Sequence, residues 1–474
     1  MIVARSPSKV RPVRPASRAI AVVVATAVAL ASLPARAQTG SNAGIPMIRD
    51  AEIEQLLRDY TAPILKVAGL DNQNVKVVII NNSSFNAFVM DAHRIFVNTG
   101  ALMQATVPNQ LIGVFAHETG HIVGGHLSKM RQELANAQTA MIVGMLLGVG
   151  AMVAGGRSGN SSMGNVGGAV FTAPQALAMN SVLSYQRAQE ESADRAGVRF
   201  LTLTGQSAKG MYDTFKRFAD ESLFSAYGAN PYAQNHPMPQ ERMAALAELV
   251  KTPYWGRKDP QQLQFRHDMM RAKLYGFIER PDVVLRHYPL SDTSLPARYA
   301  RAISAYRFAD MHSAIEQIDS LIQAMPNNPY FYELKGQALL EGTHPAEAIA
   351  PLRRAVELAP NPALIQILLA QALVATNDTK QADDAIPLLR TALLKEPESG
   401  DAYTTLAMAY GRKKDLADAD LASAQAAFAR GDDKTARELA ERAKQRFPIG
   451  SPGWVRADDI VAFNKNQRDN PLFK

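Results

Sequence analysis

Four prolines in the C-terminal half of the chain each follow an alanine by twelve residues: Ala314 and Pro326, Ala348 and Pro360, Ala385 and Pro397, Ala436 and Pro448. Successive pairs are 34, 37 and 51 residues apart. A period of this length in Ala/Leu-rich sequence, beginning beyond about Leu290, dictates short antiparallel helices stacked neighbour on neighbour, because no single unit buries its own apolar face. Proline closes one helix of each unit, having no N–H to donate and clashing with the preceding turn. Alanine lets the paired helices cross closely.

The second unit is the fullest. Gly336, Ala348, Leu352, Ala355 and Pro360 fall at positions 8, 20, 24, 27 and 32 of a 34-residue unit, the spacing of the tetratricopeptide repeat. Ala424, Ala436, Ala443 and Pro448 restate it in the last unit, after Asp401–Lys413, an extra helix that breaks the strict period. About four repeats are expected over residues 292–450.

The rest of the chain has a different texture. Its formal charge of +7 resides at the start: residues 1–37 hold Arg5, Lys9, Arg11, Arg14, Arg18 and Arg36 and no acid, leaving 45 basic against 44 acidic groups beyond them. A nearly neutral remainder has no electrostatic reason to seek nucleic acid. Those 37 residues have the layout of a secretory signal: a basic stretch to Arg18, an apolar run Ala19–Ala31, and Ala35-Arg36-Ala37 as a cleavage site. Cleavage is expected after Ala37, with export to the periplasm. The apolar run rises only about 20 Å as a helix, too short to span a bilayer.

A domain at 45–285 is expected to be mixed. Asp50–Leu70 is an amphipathic helix with a break expected near Ala62, ahead of Pro63. Val75–Ile80 and Ile95–Val97 are β-branched runs that suggest a small sheet, and a helix at Asn109–Arg131 follows Pro108. Leu134–Gly156 holds no charged residue and runs into the Gly/Ser-rich Gly155–Gly168; a buried or lid-like hairpin is the favoured reading, peripheral membrane contact the other.

The chain has no Cys, which excludes disulfides, thiolate metal sites and a cysteine nucleophile, so any metal must sit on His, Asp and Glu. His117-Glu118-Thr119-Gly120-His121 places two histidines one helical turn apart, able to direct nitrogens at one Zn²⁺ at about 2.0–2.1 Å, with Glu118 beside an open position where it can take a proton. A further ligand is needed. His126 lies about 180° round a continuous helix from His117 and is read as a packing or surface histidine. Glu190 and Asp194, four apart, share a face: Glu190 can bind metal while Asp194 accepts the spare N–H of a ligating histidine, or the cluster is a solvated acidic helix start paired with Arg187 or Arg195.

His117–His121, the Glu190–Asp194 pair and Asn86-Ala87-Phe88 together resemble the zinc metallopeptidase family that contains the CAAX prenyl protease and a heat-shock membrane protease; the signal and the repeats make exported members the nearest likeness. The resemblance implies an α+β zincin-like metallopeptidase domain, mostly helical with a small sheet, followed by an all-α tetratricopeptide-repeat solenoid. It also implies one Zn²⁺ per chain on His117, His121 and Glu190, with Glu118 as general base and Asp194 beside the third ligand. His236-Pro237 with Arg242 matches a downstream family element, which implies that His236 approaches the metal as a ligand or as support for the oxyanion. Asp91-Ala92-His93-Arg94 departs from the Gly-rich turn of relatives.

The function expected is an exported zinc endopeptidase that degrades misfolded or stalled envelope proteins, binding unfolded chains along an exposed strand edge at Arg94–Val97, with repeats that dock the outer-membrane assembly machinery. The alternative is a chaperone or scaffold with little proteolysis.

Overall fold

A computed structural model describes residues 46–136, 138, 163–224 and 231–463. The segment read as a signal, its cleavage site and nearly all of Leu134–Gly156 lie outside the described residues. Among the described residues no helix is long and apolar enough to cross a membrane.

The N-terminal half begins with β1 (Met47–Ile48) and α1 (Ala51–Val67), whose N-cap Asp50 accepts the Ile53 N–H. Pro63 does not break α1. Ile53, Leu56, Leu57, Tyr60 and Ile64 drive one face into the core while Pro63 sits on the solvent side, and that burial outweighs the lost backbone bond. β2 (Lys76–Ile80), β3 (Ala87–Asp91) and β4 (Arg94–Asn98) join β1 in a sheet of order β1-β2-β4-β3. β2 and β4 are parallel; β3 returns antiparallel to β4 through a tight turn that Asp91 fixes by accepting the His93 N–H at 2.8 Å. This corrects the expected substrate edge. Arg94–Val97 is paired on both sides, and among the described residues the edge strands are the two-residue β1 and the longer β3.

Among the described residues the helices that follow include α2 (Thr99–Gln104), α3 (Pro108–Gly124), α4 (Met163–Leu203), α5 (Lys209–Phe224), α6 (Pro231–Asn235) and α7 (Gln240–Leu249). Pro108 opens α3 where expected. The expected run to Arg131 is interrupted, however, because Gly125 takes a left-handed conformation (φ 60°) and ends α3 before helical backbone resumes at 126. The end of the Gly/Ser-rich segment, residues 163–168, already belongs to α4.

α8 (Gln261–Ile278) serves both halves: Met270 and Leu274 enter the core beneath the sheet, and Met269 enters a second core with Tyr299, Ile303 and Phe331. Beyond it, helical pairs stack from Leu295–Phe308 with Met311–Ala324 through Leu416–Ala429 with Asp433–Arg446. Asp310, Asp378, Asp415 and Asp432 cap helix starts by accepting nearby backbone N–H groups. Ala314, Ala348, Ala385 and Ala436 are all buried, and a Cβ on Gly336 would lie 2.3 Å from Leu352 Cγ, so the small residues do mark close crossings. The extra helix is Gly400–Arg412.

Candidate metal centre

Residues Leu111–His121 of α3 are buried without interruption, so every polar side chain among them must find partners inside the protein. The nearest partner is α4. Gly120, between the two histidines, faces Ala193, and Gly197 faces the backbone at His117; Cβ atoms there would lie 2.8 Å from Ala193 O and 3.2 Å from His117 N. Two bare backbones thus let α3 and α4 approach closely enough for the Glu190 and Asp194 side chains to span the gap.

They meet the histidines directly. His117 Nε2 is 3.0 Å from His121 Nε2 and 3.4 Å from Glu190 Oε2, and His121 Nε2 is 3.5 Å from Glu190 Oε1. His236, just after α6, brings Nδ1 to 3.3 Å from His117 Nε2 and 3.1 Å from Glu190 Oε2. Donor atoms of these four buried residues all lie within 4.8 Å of one another. A tetrahedron around Zn²⁺ with bonds of about 2.0–2.1 Å has edges of about 3.3 Å, so N and O donors spaced as these are fit such an ion.

The surroundings favour a cation too. Burial alone would depress the His117 imidazole, but the Asp194 and Glu190 carboxylates outweigh it and raise it to about 9. Glu190 is held well below the usual carboxylate range, burial being overcome by His236, His117 and Arg242. Asp194 is lowered likewise, against its burial, by Arg242 and His117. His117 Nδ1 lies 3.0 Å from Asp194 Oδ1.

Glu118 points elsewhere. Its Oε1 lies 3.5 Å from His236 Nε2 and accepts from the Tyr232 hydroxyl at 3.4 Å, while Oε2 is buried with no partner among the described residues. Burial pushes this carboxyl up, only partly offset by His236 and His117, as suits a group that must both take and return a proton. A cavity of about 1110 Å³, lined by Leu183, Glu190, Tyr212, Met238 and Arg242 among others, opens beside the cluster.

All six residues singled out in the sequence, His117, Glu118, His121, Glu190, Asp194 and His236, therefore converge, and the solvated reading of the acidic pair does not hold: Glu190 and Asp194 are both buried. Two further residues adjoin the cluster, Tyr232, which the sequence reading misses, and His126, which it sets apart from the site. Tyr232 sits one turn before His236, a spacing that could have flagged it, with ring centroids 4.6 Å apart. His126 is buried, as a packing histidine would be, but it packs on the site and not away from it, its Nδ1 3.0 Å from His121 Nδ1; the preceding Gly124-Gly125 is the available signal.

Residues 48–250 match Peptidase family M48, and residues 299–363 match a tetratricopeptide-repeat family. The chain is 24% identical to the Beta-barrel assembly-enhancing protease of Yersinia pestis over 88% of this chain and 84% of that one. It is 22% identical to the protein of the same name from Escherichia coli K12, over 87% and 83%. A Putative beta-barrel assembly-enhancing protease of Vibrio cholerae matches at 23% identity over 61% of this chain and 59% of its own length.

Proposed function

We propose that this chain, a metal-dependent peptidase carrying a family M48 domain with tetratricopeptide repeats behind it, is an exported zinc endopeptidase that removes misfolded or stalled envelope proteins in the periplasm. The observation that carries the reading is the buried donor set of His117, His121, Glu190 and His236 with, beside it, a Glu118 carboxylate oxygen that has no partner among the described residues.

His117, His121 and Glu190 would hold the ion, with His236 either completing the set in a resting form or withdrawing to steady the oxyanion. When bound, zinc supplies a positive charge that polarises the scissile carbonyl and acidifies water. Glu118 takes the proton from the attacking water and passes it to the leaving amine. Tyr232 holds the Glu118 carboxylate through its hydroxyl. Asp194 Oδ1, 3.0 Å from His117 Nδ1, is placed to receive that ring's second N–H and so to fix its tautomer, and Arg242 holds Asp194 in turn. An extended substrate would pair with the free edge of β3, which favours unfolded segments over intact domains.

The repeats present a surface for a larger partner, in this reading the outer-membrane assembly machinery. The scaffold alternative is favoured by one feature: with His236 at donor distance, the four side chains match a closed site rather than one with a vacant corner. Glu118→Gln separates the readings, since it spares the donors and removes the base. The variant should keep its metal and fail to digest casein or an unfolded outer-membrane protein. Undiminished digestion would refute the peptidase assignment of this site; loss of digestion with continued capture of the assembly machinery would show both roles in one chain.

A further inference from the structure

His121 uses one ring nitrogen toward the donor cluster and is held at the other by a second histidine. Its Nε2 faces His117 Nε2 at 3.0 Å, and its Nδ1 lies 3.0 Å from His126 Nδ1, the two rings meeting edge to face with centroids 4.9 Å apart. From this arrangement we propose that His126 is a positioning residue for His121: a neutral imidazole that accepts the His121 Nδ1–H and sets that ring's tautomer and orientation. The proposal rests on the reading of His121 as a metal ligand.

Three local features exist to bring His126 there. On a continuous helix it would point away from the site. Gly125 instead adopts a left-handed conformation (φ 60°), which ends α3 and turns the chain back; this costs glycine little and other residues about 1 kcal/mol or more. Gly124 clears the space, because a Cβ at that position would lie 2.1 Å from His126 Nε2. Gln189, next to Glu190 on α4, then ties the turn to the facing helix by donating from Nε2 to the His126 carbonyl at 3.1 Å. Helix α3, the Gly-Gly turn and α4 all fix one buried imidazole against another.

Ligation of a metal by His121 would place the protons. A histidine that offers the Nε2 lone pair to a metal carries its hydrogen on Nδ1 and needs an acceptor there. His117 has a carboxylate in that place, Asp194 Oδ1 at 3.0 Å. His121 has His126 Nδ1, which can accept only if His126 is neutral with its hydrogen on Nε2. One ligand is therefore backed by an anion and the other by a neutral ring, which orients His121 without adding a further charge to a cluster that already buries Glu190, Asp194 and Glu118.

The test is Zn²⁺ binding by the full chain in competition with a chromogenic chelator. His126→Ala should weaken affinity about 10–100-fold, the usual effect of losing an outer partner of a ligand, and His126→Asn, whose amide oxygen can accept in the same place, should recover most of it. Gly124→Ala, which displaces the ring without altering it, should resemble His126→Ala. The unfolding midpoints of the metal-free proteins should stay together, as a merely structural role would not allow. Wild type binding one equivalent while His126→Ala or Gly124→Ala binds within twofold of it would overturn the proposal; wild type binding none would instead refute the metallopeptidase reading. If the variants do not fold, ¹⁵N spectra of histidine side chains in the zinc-loaded wild type decide. His126 neutral and protonated on Nε2 supports the assignment; His126 protonated on Nδ1 overturns it.

Discussion

Arg242 grips Asp194 through two parallel hydrogen bonds, Nε to Oδ2 at 2.7 Å and Nη2 to Oδ1 at 2.8 Å, with both side chains buried. Its Nη1 also reaches Glu190 Oε2 at 2.9 Å. One guanidinium thus compensates two carboxylates that the interior would otherwise expel. Arg242→Met should lower folding stability by about 3–5 kcal/mol, the cost of stranding buried charge. Arg242→Lys restores the charge but not the planar fork and should recover only part of it. Denaturant unfolding of the metal-free proteins measures both, and a loss below 1 kcal/mol for the Met variant would show that Asp194 is compensated by other means.

The base is tested by rate. Proton transfer by a positioned carboxylate contributes about 10²–10⁴-fold, so Glu118→Gln should reduce kcat for peptide hydrolysis by that factor while metal content, measured by elemental analysis, stays at the wild-type level. Loss of metal together with activity would place Glu118 among the ligands instead.

The site was more legible in the sequence than its setting. His117, Glu118 and His121 are fixed by local spacing, and Glu190 and Asp194 by one shared helical face; a motif written within one or two turns survives whatever the tertiary packing does. The place of His126 against His121 is not legible, because it depends on where α3 ends, and the geometry of an unbroken helix cannot register Gly125 turning left-handed. Pro63 reads as a break because its local cost is visible in the sequence and the compensating burial of Leu57, Tyr60 and Ile64 is not. The same holds for β3, a strand whose identity comes from pairing with β4 rather than from its own composition. The repeats were legible because periodicity reports packing directly.

Acid should weaken the fold through His267. That ring bridges Tyr60 Oη at 3.0 Å and Ala105 O at 2.9 Å, and burial lowers its pKa from 6.5 to about 4. Between those values the unfolded chain binds a proton that the folded chain refuses, so the stability from this group is full above pH 6.5 and lost as pH falls toward 4. The effect amounts to about 3 kcal/mol, at 1.36 kcal/mol per unit. Thermal unfolding of His267→Gln should show a flatter profile across that window than wild type; parallel profiles would exonerate His267.

A base-side dependence arises where the two halves meet. Lys273 lies 2.7 Å from Asp50, 3.2 Å from Glu52 and 4.0 Å from Glu333, three acids sharing one buried cation. Glu333 is the most distant, and burial raises its pKa from 4.5 to about 8 despite Lys273. The folded chain then holds a proton the unfolded chain has released, so this stability is full below pH 4.5 and lost as pH rises through 8. Glu333→Gln, permanently neutral, should match wild type at pH 5 and exceed its unfolding midpoint at pH 9. A variant no more stable than wild type at pH 9 would show that Glu333 ionises without penalty.

Gly120 bears on both stability and chemistry. A methyl there would meet Ala193 O at 2.8 Å, Ala193 Cα at 3.0 Å and Ala196 Cβ at 3.2 Å, two of them backbone atoms that no rotamer change can move. Gly120→Ala must therefore push α3 and α4 apart, and α4 carries Glu190 and Asp194 with it, away from His117 and His121. The overpacking should cost about 1–3 kcal/mol, and metal affinity should fall by about tenfold or more as the donor spacing opens. Gly411 provides the contrast: it is helical, a Cβ would meet nothing within 4 Å, and Gly411→Ala should leave affinity unchanged and stability equal or slightly higher. Chelator competition on the two variants separates the outcomes. Wild-type affinity in Gly120→Ala would mean that the helices can part without disturbing the donors, and that the close approach of α3 and α4 serves packing alone.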